Sequence, residues 1–241
     1  MSQEDKAAQG RPEYPIGVPS KFDPDGNIQD FPGNTILAHL SPSSPLYASM
    51  LSLYKKLQES PLSHLYALLP PPSWHMTVFE GVCDQVRKPG FWPADLPADA
   101  PLGDCTALFT QKLAAFDVGD DGPPYLMKVV GFSTLEVGIG VHVEPRTAEE
   151  GRRLQRLRDR LAGTLKIRHP QHDTYELHLS VAYLLRHLDG AQEGALMTLL
   201  LEHFREMPLE FELGAPEFCT FDDMAAFKRV LYLGGLEEVK G

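Results

Sequence analysis

Two stretches of this chain share one pattern. Trp74-His75-Met76-Thr77-Val78-Phe79 and Leu177-His178-Leu179-Ser180-Val181-Ala182-Tyr183 each run apolar, His, apolar, hydroxyl, apolar. Such alternation predicts strands with one face against a core. Residues two apart in a strand share a face, so each imidazole stands beside its own hydroxyl. Facing one another, the two strands would gather two imidazoles and two hydroxyls in one cleft, equipment for proton transfer at a phosphate ester. Four of the nine histidines precede Ser or Thr by two positions, so the tripeptide alone selects little. His39-Leu40-Ser41 runs into Pro42, and His172-Asp173-Thr174 lies in a polar stretch after Pro170. Only His75 and His178 are enclosed by apolar neighbours on both sides, and that embedding singles them out.

The remaining elements can be read around these two strands. Residues 1–20, rich in Gln, Pro and charge, predict a flexible arm, and residues 21–241 a single bilobal domain. Asp23-Pro24-Asp25-Gly26 and Phe31-Pro32-Gly33-Asn34 are turn signals ahead of a strand over 35–40. Ser44 before Pro45 starts a helix whose Leu46, Met50, Leu53 and Leu57 recur at helical spacing. A short strand over 66–69 follows, and then Pro70-Pro71-Pro72 stiffens the approach to His75. The Pro-rich stretch 84–103 reads either as a substrate lid or as a surface loop packed by its own aromatics, Phe91 and Trp92.

Asp104 is expected to cap a helix reaching Phe116, Asp120-Asp121-Gly122-Pro123-Pro124 ends the first half, and two paired strands are expected over 125–132 and 135–144. Gly138 and Gly140 in the second of these mark a sheet bend or a close approach. Thr147 with Glu150 predicts a capping box and a helix with Leu154, Leu157, Leu161 and Leu165 inward. Arg152, Arg156 and Arg160 form an outward stripe, read as a solvated face with RNA contact as the alternative. A helix capped by Asp189 and strands over 209–213 and 229–233 complete the chain. The halves have similar content, with their histidines 103 residues apart. The predicted fold class is α+β, two pseudo-symmetric lobes, each an antiparallel sheet with packed helices.

Composition narrows the function. The formal net charge is −11, which argues against a binder of long duplex nucleic acid. No apolar run approaches the ~20 residues of a membrane span, and the polar N-terminus lacks the apolar core of a signal peptide. Three Cys without CxxC spacing predict reduced thiols in a cytoplasmic protein. A monomer with no membrane partner is expected.

The two motifs make the chain resemble the two-histidine phosphoesterase superfamily, which includes cyclic phosphodiesterases and 2′-5′ RNA ligase-like proteins. The stretch from Phe22 to Leu40, with Phe31-Pro32-Gly33-Asn34-Thr35, resembles a bacterial and fungal branch with no assigned substrate. The resemblance implies two α+β lobes lining a central cleft and catalysis without metal or cofactor. It implies His75 and His178 as the catalytic pair, with Thr77 and Ser180 on the substrate. Tyr183 would reach the substrate as in the cyclic phosphodiesterase form; strict alternation turns it away, so that role requires a bulge. The implied substrate is a small cyclic phosphodiester or an RNA end carrying a 2′,3′-cyclic or 2′-5′ linkage. Trp92, and with a weaker case Trp74, are candidates to stack on a base, and Arg87, Lys88 and Arg168 to meet a phosphate.

Two other readings stay open at this level. A metal-dependent hydrolase would use His75, His178 and His142 or His172 as ligands, though no HxxxH spacing supports it. A non-catalytic protein would hold a nucleotide in the same cleft without turnover.

Overall fold

The computed structural model describes residues 11–235. Its strands are β1 (Gly33–His39), β2 (Tyr66–Leu68), β3 (His75–Cys83), β4 (Tyr125–Phe132), β5 (Gly138–Pro145), β6 (His178–Leu184), β7 (Glu210–Leu213), β8 (Glu217–Phe221) and β9 (Lys228–Tyr232). The helices are α1 (Pro45–Gln58), α2 (Leu102–Ala114), α3 (Ala148–Leu165) and α4 (Gly190–Phe204).

The two expected lobes share one sheet. Strand order is β7-β4-β5-β6-β3-β1-β8-β9, with β2 also on β6, and every pairing is antiparallel. Four strands lie on each side of the β6–β3 junction, which carries one ladder pair, Met76 with Leu179. The sheet curls into a half-barrel. The hairpin β8–β9, at the end of the chain, completes the first half by pairing on β1. Apolar side chains from one face of the sheet (Met76, Val78, Val141, Leu179) join the buried helix stripes in one core.

Helix ends follow capping chemistry. Ser44 accepts from the Leu46 N–H with Pro45 at the first helical position, and Leu46, Met50, Leu53 and Leu57 are all buried. Asp189 and Gln192 form a full capping box on α4. Thr147 accepts from the Glu150 N–H, but the Glu150 carboxylate reaches instead the Leu126 N–H and Arg153, so the expected box is half made. Asp104 is not the cap of α2: Pro101 holds that position and Asp104 lies in the first turn. The Arg152, Arg156 and Arg160 stripe is spent on Glu149 and Asp121.

The first ten residues of the expected N-terminal arm lie outside the described residues. Residues 11–20 are seated in turns against the body: His187 Nε2 contacts the Pro12 carbonyl at 2.8 Å, and the Arg186 guanidinium stacks on Tyr14. None of the described helices is long and apolar enough to cross a membrane. Cys83, Cys105 and Cys219 are free thiols.

Candidate active site

Continuing the Met76–Leu179 register sets His75 opposite Ser180 and Thr77 opposite His178. Both histidines and both hydroxyls line one cleft. Each imidazole is oriented by the same device. His75 Nδ1 lies 2.7 Å from the Ser73 carbonyl, and His178 Nδ1 lies 2.9 Å from the Glu176 carbonyl. A carbonyl only accepts, so each Nδ1 carries its proton, and each Nε2 is left to act in the cleft.

The approach to His75 is held by a five-residue excursion. From Leu68 to Met76 the chain advances eight residues while its partners on β6 retreat three, from Ala182 to Leu179. The five looped-out residues are supplied by the proline run and its flanks. Pro71–Ser73 forms a 3-10 turn, Ser73 Oγ donates to the Pro70 carbonyl, and Trp74 is buried between Tyr47 and Tyr54. Trp74 is therefore packing, as strand alternation requires.

Both motif strands are bulged three residues after their histidine. Leu37 pairs with Thr77 but Ile36 with Phe79, so Val78 is the extra residue of β3. Gly140 pairs with Ser180 but Ile139 with Ala182, so Val181 is the extra residue of β6. Each bulge leaves a carbonyl outside the ladder, and each is satisfied. The buried Arg158 donates to the Val78 carbonyl at 2.7 Å, and the Leu69 N–H donates to that of Val181 at 2.9 Å. The side chain two positions on returns to the cleft face. In β6 that residue is Tyr183, so the bulge its expected role demands is present. In β3 it is Glu80, which sequence reasoning missed. The signal for Glu80 was available, because it stands five residues after His75 as Tyr183 stands five after His178.

Further lining residues arrive from outside the motifs. Lys21 Nζ donates to the Tyr183 hydroxyl at 2.9 Å. His169 contacts the Gly81 carbonyl through Nε2 and Glu80 through Nδ1, at 3.0 and 3.4 Å. Burial next to Glu80 pushes the Tyr175 phenol up to about 12, and Arg158 stacks on its ring. Phe227 packs edge-on against His75 with centroids 4.3 Å apart.

Burial holds the His75 imidazole neutral, lowering its pKa to about 4, and the nearby His39 and His178 push the same way. The hydrogen bond to the Ser73 carbonyl and the Glu217 carboxylate oppose this without overcoming it. Protonating a ring in a poorly hydrated cleft costs more than those two contacts return.

Trp92 does not reach the cleft. It is 4 % exposed, its Nε1 donates to the Pro97 carbonyl, and Arg87 stacks on its ring. Its loop thus packs on its own aromatic, the second of the two readings of that stretch. Arg168 is taken by Asp159 and Asp173, and Lys88 lies over Phe91. Among the described residues, the clusters able to hold a metal are His39-Glu217-Cys219 and Asp159-His172-Asp173. Neither includes His75 or His178.

No curated protein matches the chain. The crystal structure of a conserved protein of unknown function from Agrobacterium tumefaciens str. C58 is 28 % identical with a TM-score of 0.85, covering 97 % of this chain and 100 % of its own. A protein from Thermus thermophilus gives a TM-score of 0.45 at 13 % identity, covering 85 % of this chain and 99 % of its own. Residues 21–137, which include His75-Met76-Thr77, match the family model 2H-phosphodiest, a domain of unknown function (DUF1868). That match, over residues 21–137, places the protein in the two-histidine phosphoesterase superfamily and points to a phosphoesterase.

Proposed function

We propose that the protein opens a small cyclic phosphodiester, or a cyclic phosphate at an RNA end, without a metal. The observation that carries this reading is the pair of imidazoles, each with Nδ1 fixed on a carbonyl and each set across the β3–β6 junction from the other motif's hydroxyl. Water attacks phosphorus as His75 Nε2 takes its proton. The bond from phosphorus to one ring oxygen breaks, and that oxygen takes a proton from His178 Nε2, leaving a phosphomonoester. His75 suits the base because burial keeps it neutral at pH 7. Thr77 and Ser180 donate hydrogen bonds to the non-bridging oxygens, whose charge grows in the transition state. Tyr183, turned inward by its bulge, donates to the same phosphate.

The test is hydrolysis of a nucleoside 2′,3′-cyclic phosphate after dialysis against EDTA. Full turnover is expected. Activity lost to the chelator and restored by zinc or magnesium would replace this reading with a metal-dependent one. No turnover across a panel of cyclic phosphates and 2′-5′ oligonucleotides would favour a nucleotide-holding protein.

The pH dependence follows from the lowered value of His75. A base with a depressed pKa stays competent as pH falls past the ordinary imidazole value and fails only as it nears about 4. The kcat/KM profile should therefore be bell-shaped, with its acid limb displaced well below about 6.5. Both limbs belong to the coupled pair. A profile that collapses between pH 7 and 6 would remove His75 as the base.

A further inference from the structure

We infer that the cleft accepts a ligand bearing a single phosphate, flanked on both sides by uncharged groups, with Lys21 as the residue that meets that phosphate. The inference rests on the reading above that a phosphate sits between the two histidines, and it narrows the substrate from any cyclic phosphate to a mononucleotide-like ester. Chain ends that carry further phosphates are excluded.

The cleft has two arms that meet at His178, Ser180 and Tyr183, with His75 and Thr77 on the first of them. One, about 350 Å³, is walled by Phe31, Leu69, Phe221, Met224 and Phe227 and receives Lys21. The other, about 650 Å³, offers the hydroxyls of Ser133, Thr134 and Thr174 with the carboxylates of Glu136 and Glu176. Among the described residues lining either arm, Lys21 is the only Lys or Arg. Glu80, Glu136 and Glu176 are the acids. A second phosphate in either arm would find no cation of its own and would face a carboxylate at short range, where screening is weakest. Hydroxyl and aromatic walls instead suit a sugar and a base.

Lys21 is placed for the one phosphate that remains. It comes from the segment before β1, which is seated on β6 by close packing: Gly17, with φ +106°, brings its backbone so near that a Cβ there would lie 3.2 Å from the Tyr183 ring. The ammonium lies over the Phe31 and Tyr183 rings, 5.2 and 4.7 Å from their centroids. It has no carboxylate within ion-pair distance among the described residues, and its one hydrogen-bond partner there is the Tyr183 hydroxyl. By donating to that oxygen it leaves the tyrosine proton to the Met224 sulfur, a weak acceptor 3.8 Å away that an anion would displace, so both groups can donate to one anion.

The experiment compares binding of a nucleoside 2′-monophosphate and the matching 2′,5′-bisphosphate to the full chain by calorimetry at low salt. The bisphosphate is expected to bind about tenfold more weakly or worse, and the double variant Glu136→Gln, Glu176→Gln should shrink that gap. Lys21→Gln should weaken monophosphate binding by about tenfold or more, with Lys21→Arg retaining most of it and the melting temperature of each variant reporting its fold. Equal or tighter binding of the bisphosphate, no binding of either compound, or a folded Lys21→Gln protein with unchanged affinity would overturn the inference. Cyclic phosphate hydrolysis is scored separately. Turnover without phosphate discrimination would leave the reaction standing and remove this inference, and discrimination without turnover would do the reverse.

Discussion

His75→Ala and His178→Ala are each expected to lower kcat on a 2′,3′-cyclic phosphate by about 10²–10⁴, the usual worth of a positioned general acid or base. Thr77→Ala and Ser180→Ala should cost less, about 10²–10³ for one donor to a developing oxyanion. In the proposed reaction the two histidines share one proton relay, so the double variant should fall little further than the worse single one. Both side chains are half-buried at a cleft wall, with a single backbone hydrogen bond each, so removing either should leave the fold intact. Rates measured beside melting curves separate the two effects. Near-normal turnover by either folded variant would end the case for the pair.

The second large effect is structural and falls on a glycine. A Cβ at Gly138 would lie 2.1 Å from the Ala182 carbonyl oxygen and 3.2 Å from its carbonyl carbon. Those are backbone atoms beside the β6 bulge, so no side chain can swing aside to make room. Gly138→Ala should therefore destabilise by about 1–3 kcal/mol, the range for overpacking a tight site. It should also disturb the backbone that aims Tyr183, which faces Gly138 across the ladder. Chemical denaturation is expected to show the loss, and kcat/KM should fall even under conditions where the variant stays folded. Gly163→Ala is the control, because a Cβ there meets nothing within 4 Å. Equal stability of the two variants would mean that β5 and β6 can part at this point without cost.

The two motif strands were legible in the sequence because alternation needs no knowledge of neighbours. His75 and Thr77 share a face whatever pairs with β3. The α1 stripe was legible for the same reason, with its apolar residues on one side and Ser44-Pro45 at its start. What periodicity cannot show is where it breaks. Glu80 and Tyr183 reach the cleft through bulges, which are set by the register of the partner strand and not by the strand's own residues. Lys21, His169 and Tyr175 come from segments whose place depends on tertiary packing. Trp92 was misread because an aromatic on a long Pro-rich loop looks free in sequence, whereas Arg87 and the Pro97 carbonyl hold it in place. Strand β8 was missed outright, because its pairing on β1 joins residues far apart in the chain.

The looped-out segment before β3 also answers a problem of folding. Strands β2 and β3 both lie along β6, and nothing in their apolar residues forbids zipping onward from β2 in its own frame. In that frame His75 would stand opposite Tyr175 and Thr77 opposite Asp173, five positions from the register that brings them to Ser180 and His178. Pro70, Pro71 and Pro72 have no N–H to give to β6, so the chain cannot continue the ladder through them. The ladder stops with the Leu69 N–H on the Val181 carbonyl and restarts at Met76, in the frame that pairs Met76 with Leu179. The prolines act as a spacer between two reading frames of one sheet, and they exclude the misregistered competitor before either histidine is in place.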